Sequence, residues 1–323
     1  MLILSGVKNT SPFDQHPTTK MVKIASLNIA CAGRDEQLCP LWKRLPTLCN
    51  FIATNKVDHN FDIFCVQEIR PTGTKRDDGG AELKAFDVAY LLSEALGKWE
   101  FVIHKVNPSF GSFYRATFWD PSKYTCNHNE VIYSKNSREP QFPYMLMVSS
   151  FTTAGSTTNE TEFKVVNCHA PMTIADKIEY WRLMHINLCF DMRGGADCGE
   201  IKNADRIVAI GDVNKFEEHL EQYNYIFDEE TPDRIVGTET FVSFEHDTKP
   251  DTSLWRSCLD SVITHKSHQV AVTVVSTTVD NSSVPGVPGV PSVPSVPSGT
   301  AQLRPTDHFL IVADVNFAET LDD

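Results

Sequence analysis

Apolar runs rich in β-branched and aromatic residues recur along the chain. They lie at 22–30 (VKIASLNIA), 61–69 (FDIFCVQEI), 99–106 (WEFVIHKV), 114–120 (YRATFWD), 144–151 (YMLMVSSF) and 163–170 (FKVVNCHA). The series continues at 206–214 (RIVAIGDVN), 259–265 (LDSVITH), 269–279 (QVAVTVVSTTV) and 308–317 (HFLIVADVNF). Several are apolar at consecutive positions rather than alternate ones, the pattern of central strands covered on both faces. Helical periodicity lies between them. Asp87–Leu96 is short and amphipathic, and 175–192 sets Ile178, Trp181, His185, Leu188 and Met192 at three- and four-residue spacings. The stretch Phe216–Phe227 begins with acidic residues, as a helix N-terminus favours. With a hairpin expected around Thr153–Glu162, the pattern predicts an α/β (α+β) domain: two packed mixed β-sheets flanked by helices, a four-layer sandwich.

Two segments fall outside this pattern. Residues 1–20 read as a flexible extension, so the fold is expected to occupy 21–323 as one domain. Within the insertion at 281–305, residues 284–298 repeat Val-Pro-Gly/Ser, which cannot build a packed core and predicts an extended loop. The loop ends just before Asp307 and His308, and reads either as a tolerated surface insertion or as a flap beside a site.

Composition changes the picture in three ways. The 323 residues are 41% hydrophobic and 22% charged, enough for a sizeable core. A net charge of −13 argues against a protein that coats nucleic acid through a broad basic surface, while leaving room for a local cleft that handles phosphates. The nine cysteines have no Cys-x-x-Cys spacing, and Cys65 and Cys168 sit in strand-like runs as small hydrophobes, which predicts a reducing, intracellular (cytoplasmic or nuclear) setting. The N-terminus lacks the basic and long apolar regions of a signal peptide. No apolar run reaches the roughly 20 residues of a membrane span, so no stable membrane association is expected.

Polar residues capable of chemistry cluster at strand ends. Asn28 ends the first run and Glu68 follows FDIFCV, where a carboxylate needs a partner or a metal. His169 ends another run and reads as a structural histidine or a functional one. Asp212 and Asn214, two apart, share one side of a strand beside Gly211, or cap a following helix. Asp260 interrupts an apolar strand and is a candidate to orient His308, leaving Asp307 for metal or water. Hydrolysis of a phosphoester needs neutralised phosphate charge, an activated in-line water and a stabilised leaving oxygen, and this set has the right groups.

The order SLNIA, VQEIR, NCHAP, GDVN, LDSV and TDH resembles the endonuclease/exonuclease/phosphatase superfamily, the deoxyribonuclease I-like fold, over about residues 22–317. The resemblance implies roles. Glu68 would bind Mg²⁺ (or Mn²⁺), with Asn28 and Asp307 supporting the metal site. His169, Asn214 and Asn28 would contact the phosphate, Asp212 would align or deprotonate water, and His308, paired with Asp260, would stabilise the pentacovalent phosphate or transfer a proton. Tyr114, Arg115 and Arg138 are further phosphate-binding candidates.

Ala30 stands where abasic-site endonucleases of the superfamily carry an acidic residue, which lowers that sub-family. The expected function is a Mg²⁺-dependent phosphodiesterase acting on DNA or RNA, and a monomer is expected. The alternatives are a lipid or small-molecule phosphoesterase of sphingomyelinase or phosphoinositide-phosphatase type, and a non-catalytic binding protein on the same fold.

Overall fold

A computed structural model describes residues 21–29, 40–71, 83–106, 113–133, 145–156, 162–171, 180, 206–213, 233–237, 260–265, 268–275, 305–306 and 308–317. The expected N-terminal extension, the helices at 175–192 (save Tyr180, which is helical) and 216–227, and the Val-Pro-Gly/Ser loop lie outside the described residues.

The strands are β1 (Val22–Asn28), β2 (Ile63–Ile69), β3 (Glu100–Lys105), β4 (Tyr114–Trp119), β5 (Tyr124–Tyr133) and β6 (Met145–Thr153), then β7 (Phe163–His169), β8 (Ile207–Asp212), β9 (Asp233–Gly237), β10 (Asp260–His265), β11 (Gln269–Val275) and β12 (Leu310–Asn316). Two helices accompany them among the described residues, α1 (Leu41–His59) and α2 (Ala85–Ala95). One six-stranded sheet has the order β11-β12-β1-β2-β4-β3 and the other β5-β6-β7-β8-β10-β9. Each contains one parallel pair, β1 with β2 and β7 with β8, among antiparallel neighbours. Both sheets are therefore mixed, as the sequence pattern predicts.

Alternation along each strand sorts side chains between two cores. Ala25 and Leu27 of β1, Phe64 and Val66 of β2, and Leu310 and Val312 of β12 pack with Leu45, Leu48 and Ile52 of α1 and with Val88 and Leu92 of α2. The opposite face turns Val22 and Ile24, Ile63 and Cys65, and Ile311 and Ala313 towards Phe163 and Val165 of β7, Val208 and Ile210 of β8 and Val262 of β10. This second cluster is the seam between the sheets. Both faces of the central strands are apolar because both are covered.

The sequence pattern passed over α1. Its buried positions Leu41, Leu45, Leu48, Ile52 and Asn55 follow helical spacing, but Pro46 interrupts the run and removes one helical donor. Burial against the first sheet outweighs that local cost, and the helix stops at Asn60, whose φ of 50° supplies the left-handed C-terminal turn. The strands β5 and β9 were also not anticipated.

Candidate active site

The seam between the sheets changes character along its length. At one end it is apolar. Further along β1, β2 and β7, towards their C-terminal ends, the same inward face carries Ser26, Gln67 and Asn167, all fully buried. Gln67 Nε2 donates to Ser26 Oγ at 2.9 Å and to Asn167 Oδ1 at 2.8 Å, linking the two sheets. Asn167 Nδ2 in turn donates to the carbonyls of Ala116 at 2.9 Å and Val66 at 3.3 Å. Gly211 makes room for this layer: a Cβ there would lie 2.3 Å from the Cys168 carbonyl oxygen and 2.9 Å from Gln67 Nε2. Its φ of 141° also favours glycine.

Two residues further along the same strands, the polar layer gives way to titratable groups. Asp212 Oδ2 is their meeting point. Asn28 Nδ2 donates to it at 2.9 Å, His169 Nε2 lies at 3.7 Å and His308 Nε2 at 3.8 Å. Glu68 Oε1 stands 3.5 Å from His169 Nε2 and accepts from Asn28 Nδ2 at 3.2 Å. On its far side, His308 Nδ1 pairs with Asp260 Oδ2 at 2.9 Å. With Nδ1 donating to that carboxylate, the imidazole turns Nε2 towards Asp212.

Glu68 reaches this group by an irregularity. Simple alternation along β2 would send it outward with Phe64 and Val66. Instead the pairing with β4 shifts register between Val66 and Ile69, and Glu68 adopts a φ of 56°. The bulge turns Glu68 inward and returns Ile69 to the helix-covered core. A non-glycine residue in this left-handed region is strained, and the strain here aims a carboxylate.

Several neighbours hold these groups in place, and sequence reading missed them. Arg44, buried in α1, donates to the backbone carbonyls of Ile29 and Pro305, tying the end of β1 to the segment that carries His308. Thr306 Oγ1 donates to the Asn28 carbonyl at 2.6 Å and accepts the His308 N–H at 3.2 Å. The Tyr180 hydroxyl accepts the His169 N–H at 3.3 Å. These contacts join segments far apart in sequence, so no local motif announces them.

Burial sets the charge states. The Asp212 carboxyl is pushed above its ordinary value by burial, with the Asp260 charge adding and His308, His169 and Asn28 opposing. His169 is held below the ordinary imidazole value by burial, with Arg115 and His308 adding and Glu68 and Asp212 opposing. Burial also acts to raise Glu68, but His169, Arg70 and Asn28 outweigh it and keep its carboxyl below the usual range.

The structure brings together Asn28, Glu68, His169, Asp212, Asp260 and His308 from the residues that the sequence singles out. Asn214, Asp307 and Arg138 lie outside the described residues. Arg115 requires a correction. It was expected on the phosphate, but it is 2% exposed and its guanidinium donates to the backbone carbonyls of His169 at 2.8 Å and Asn167 at 3.4 Å. Burial commits its charge to holding β7. Tyr114 is half-buried at the start of β4, its ring packed against the helix-covered core.

The donor set for a cation also differs from the expected one. Ligand atoms of Glu68, His169 and Asp212 lie within 4.8 Å of one another, the one such group of three or more among the described residues. Asn28 instead turns its amide N–H groups to the two carboxylates. Arg70 offsets the charge of Glu68 on one side, and the two carboxylates with the imidazole between them form an oxygen- and nitrogen-donor set that fits a divalent cation.

No family model matches the sequence, and no curated protein matches it either. Solved structures do match its fold. An endonuclease/exonuclease/phosphatase family protein from Bacteroides thetaiotaomicron has a TM-score of 0.61 at 16% identity, covering 93% of this chain and 98% of its own. A mannosyl-6-phosphatase from the same organism has a TM-score of 0.61 at 17% identity, covering 92% of this chain and 100% of its own. Truncated TDP2 from Caenorhabditis elegans has a TM-score of 0.54 at 17% identity, covering 92% and 98%. The chain has the endonuclease/exonuclease/phosphatase fold, deoxyribonuclease I-like in architecture.

Proposed function

We propose that the protein is a divalent-metal-dependent phosphoester hydrolase, with nucleic-acid phosphodiesters as its substrate class. The observation that carries this reading is the convergence of Asn28, His169 and His308 on Asp212 Oδ2, beside Glu68. Similarity of fold to endonuclease/exonuclease/phosphatase proteins supports it.

Glu68, with His169 beside it, would hold the cation, and Asp307 would be the further ligand that the resemblance implies. A bound divalent ion would neutralise phosphate charge and polarise the P–O bond. Asp212, its affinity for a proton raised by burial, accepts the proton of the attacking water through Oδ2. Asn28 fixes that oxygen by its 2.9 Å hydrogen bond. His308, oriented by Asp260 and protonated on both nitrogens, would donate its Nε2–H to the developing negative charge. The inward face below, sealed by Gln67 and Asn167, excludes water from beneath the group.

A second reading, a phosphate monoester of a small molecule such as a sugar, is favoured by the net charge of −13 and by the similarity to a protein named mannosyl-6-phosphatase. Among the described residues no helix is long and apolar enough to cross a membrane. Labelled single-stranded DNA, duplex DNA, RNA, a sugar phosphate and phospholipid vesicles, each with Mg²⁺ or Mn²⁺ and with chelator, separate the readings. Chelator-sensitive cleavage of a nucleic acid supports the first. Release of phosphate from the sugar phosphate alone replaces it with the second.

A further inference from the structure

Glu68 is already engaged by a cation. Arg70, two residues further on, folds back so that Nη2 donates to Glu68 Oε2 at 2.6 Å. The guanidinium carbon lies 4.1 Å from the centroid of the Phe113 ring, a cation–π contact. Arg70 Nε is buried and makes no hydrogen bond with any described residue. The side chain is thus held by one carboxylate oxygen and one ring face. Glu68 is correspondingly divided. Its Oε1 faces Asn28 and His169 within the convergent group, and its Oε2 faces Arg70.

We propose that Arg70 is the resident counter-cation of the metal site, a positioning residue that presents Glu68 through Oε1 and holds metal affinity down until an anion arrives. The proposal rests on the metal-dependent reading above. A carboxylate shared between two cations attracts each less than it would alone, and a divalent ion near Oε1 is repelled by the guanidinium on Oε2. An anionic group that joins the site attracts both cations and offsets their repulsion, so ion and anion each tighten the binding of the other. With 32% of its side chain exposed, Arg70 remains accessible to an incoming anion.

Mn²⁺ binding to the full chain, read from the electron paramagnetic resonance signal of free Mn²⁺, tests the idea without turnover. Wild type, Arg70→Met, Arg70→Lys and Glu68→Gln are compared with and without inorganic phosphate as the anion. Arg70→Met is expected to bind Mn²⁺ about tenfold more tightly than wild type in the absence of phosphate. Arg70→Lys, which loses the stacking on Phe113 but keeps the charge, stays within about threefold, and phosphate tightens Mn²⁺ binding more in wild type than in Arg70→Met. If Arg70→Met fails to fold, Arg70→Gln carries the same expectation. Affinity within about threefold of wild type, or weaker, in the neutral variants, with binding lost in Glu68→Gln, overturns the counter-cation role and leaves the metal site standing. Unchanged binding in Glu68→Gln, or no binding by any chain, removes the metal reading and this proposal with it.

Discussion

The seam between the sheets is one continuous surface with two halves that obey different rules. In the first, Ile24, Ile63, Val165, Ile210 and Ile311 meet as apolar side chains that need only fill space. In the second, the same strands carry Ser26, Gln67 and Asn167, and then Asn28, Glu68, His169 and Asp212. Burial stabilises the first half, at roughly 1.5–3 kcal/mol for each large side chain. In the second it is a cost, offset only by hydrogen bonds and charge pairing. The fold places its stability and its reactive groups on successive rungs of the same strands. The apolar half then acts as the rigid base on which the polar half can be held in a costly arrangement.

The sharpest way to break this division is to remove a group from the reactive end. Asp212→Asn and His308→Ala are expected to lower kcat by about 10³- to 10⁴-fold on whichever phosphoester is turned over. Their thermal unfolding should move far less, since the carboxylate of Asp212 is held away from its preferred charge state by burial. A large loss of stability in both would show that the two halves are not separable.

The complementary change, Ile24→Ala, deletes a fully buried side chain from the apolar half. It is expected to destabilise by about 2–5 kcal/mol in urea unfolding. Turnover by the fraction that stays folded should be little changed, and a drop in kcat as large as that of Asp212→Asn would contradict the comparison.

Gly211→Ala tests the boundary itself. The new methyl group would meet the Cys168 carbonyl at 2.3 Å, in a backbone conformation that already disfavours a side chain. A loss of about 1–3 kcal/mol is expected, together with reduced turnover because Asp212 is the next residue. Stability and activity should fall together here, unlike in the first two cases.

The smallest expected effect is on pH dependence. The folded pKa of His169 lies below its ordinary value of 6.5, so the unfolded chain takes up the proton first. Stability is therefore lost as pH falls below 6.5, and Glu68, also depressed, adds a loss beginning nearer its ordinary value of 4.5. Asp212 is raised and acts in the opposite sense, its contribution lost as pH rises above its ordinary 3.8. Urea midpoints measured between pH 7.5 and 5.5 should decline, and His169→Gln should flatten that decline. A slope unchanged by the substitution would assign it to other groups.

The sequence by itself determined which residues form most of the strands and which strand ends are polar. Consecutive apolar positions are legible because a strand covered on both faces leaves no polar side. Asn28, His169 and Asp212 fall in step with the apolar residues before them, and Asp260 with Val262 after it, so period-two alternation already assigns each to one face. Glu68 breaks that rule. Its direction depends on a bulge opposite β4, which no local pattern encodes. Arg115 and Arg44 were equally opaque, since an arginine in a sequence looks like a surface charge until backbone carbonyls from distant segments surround it. Helix α1 was hidden by Pro46, whose local cost is outweighed only by packing against a sheet built partly from the far end of the chain. Periodicity is a property of neighbours in sequence. Burial, charge state and the aim of a strained side chain belong to neighbours in space, and only the tertiary structure decided them.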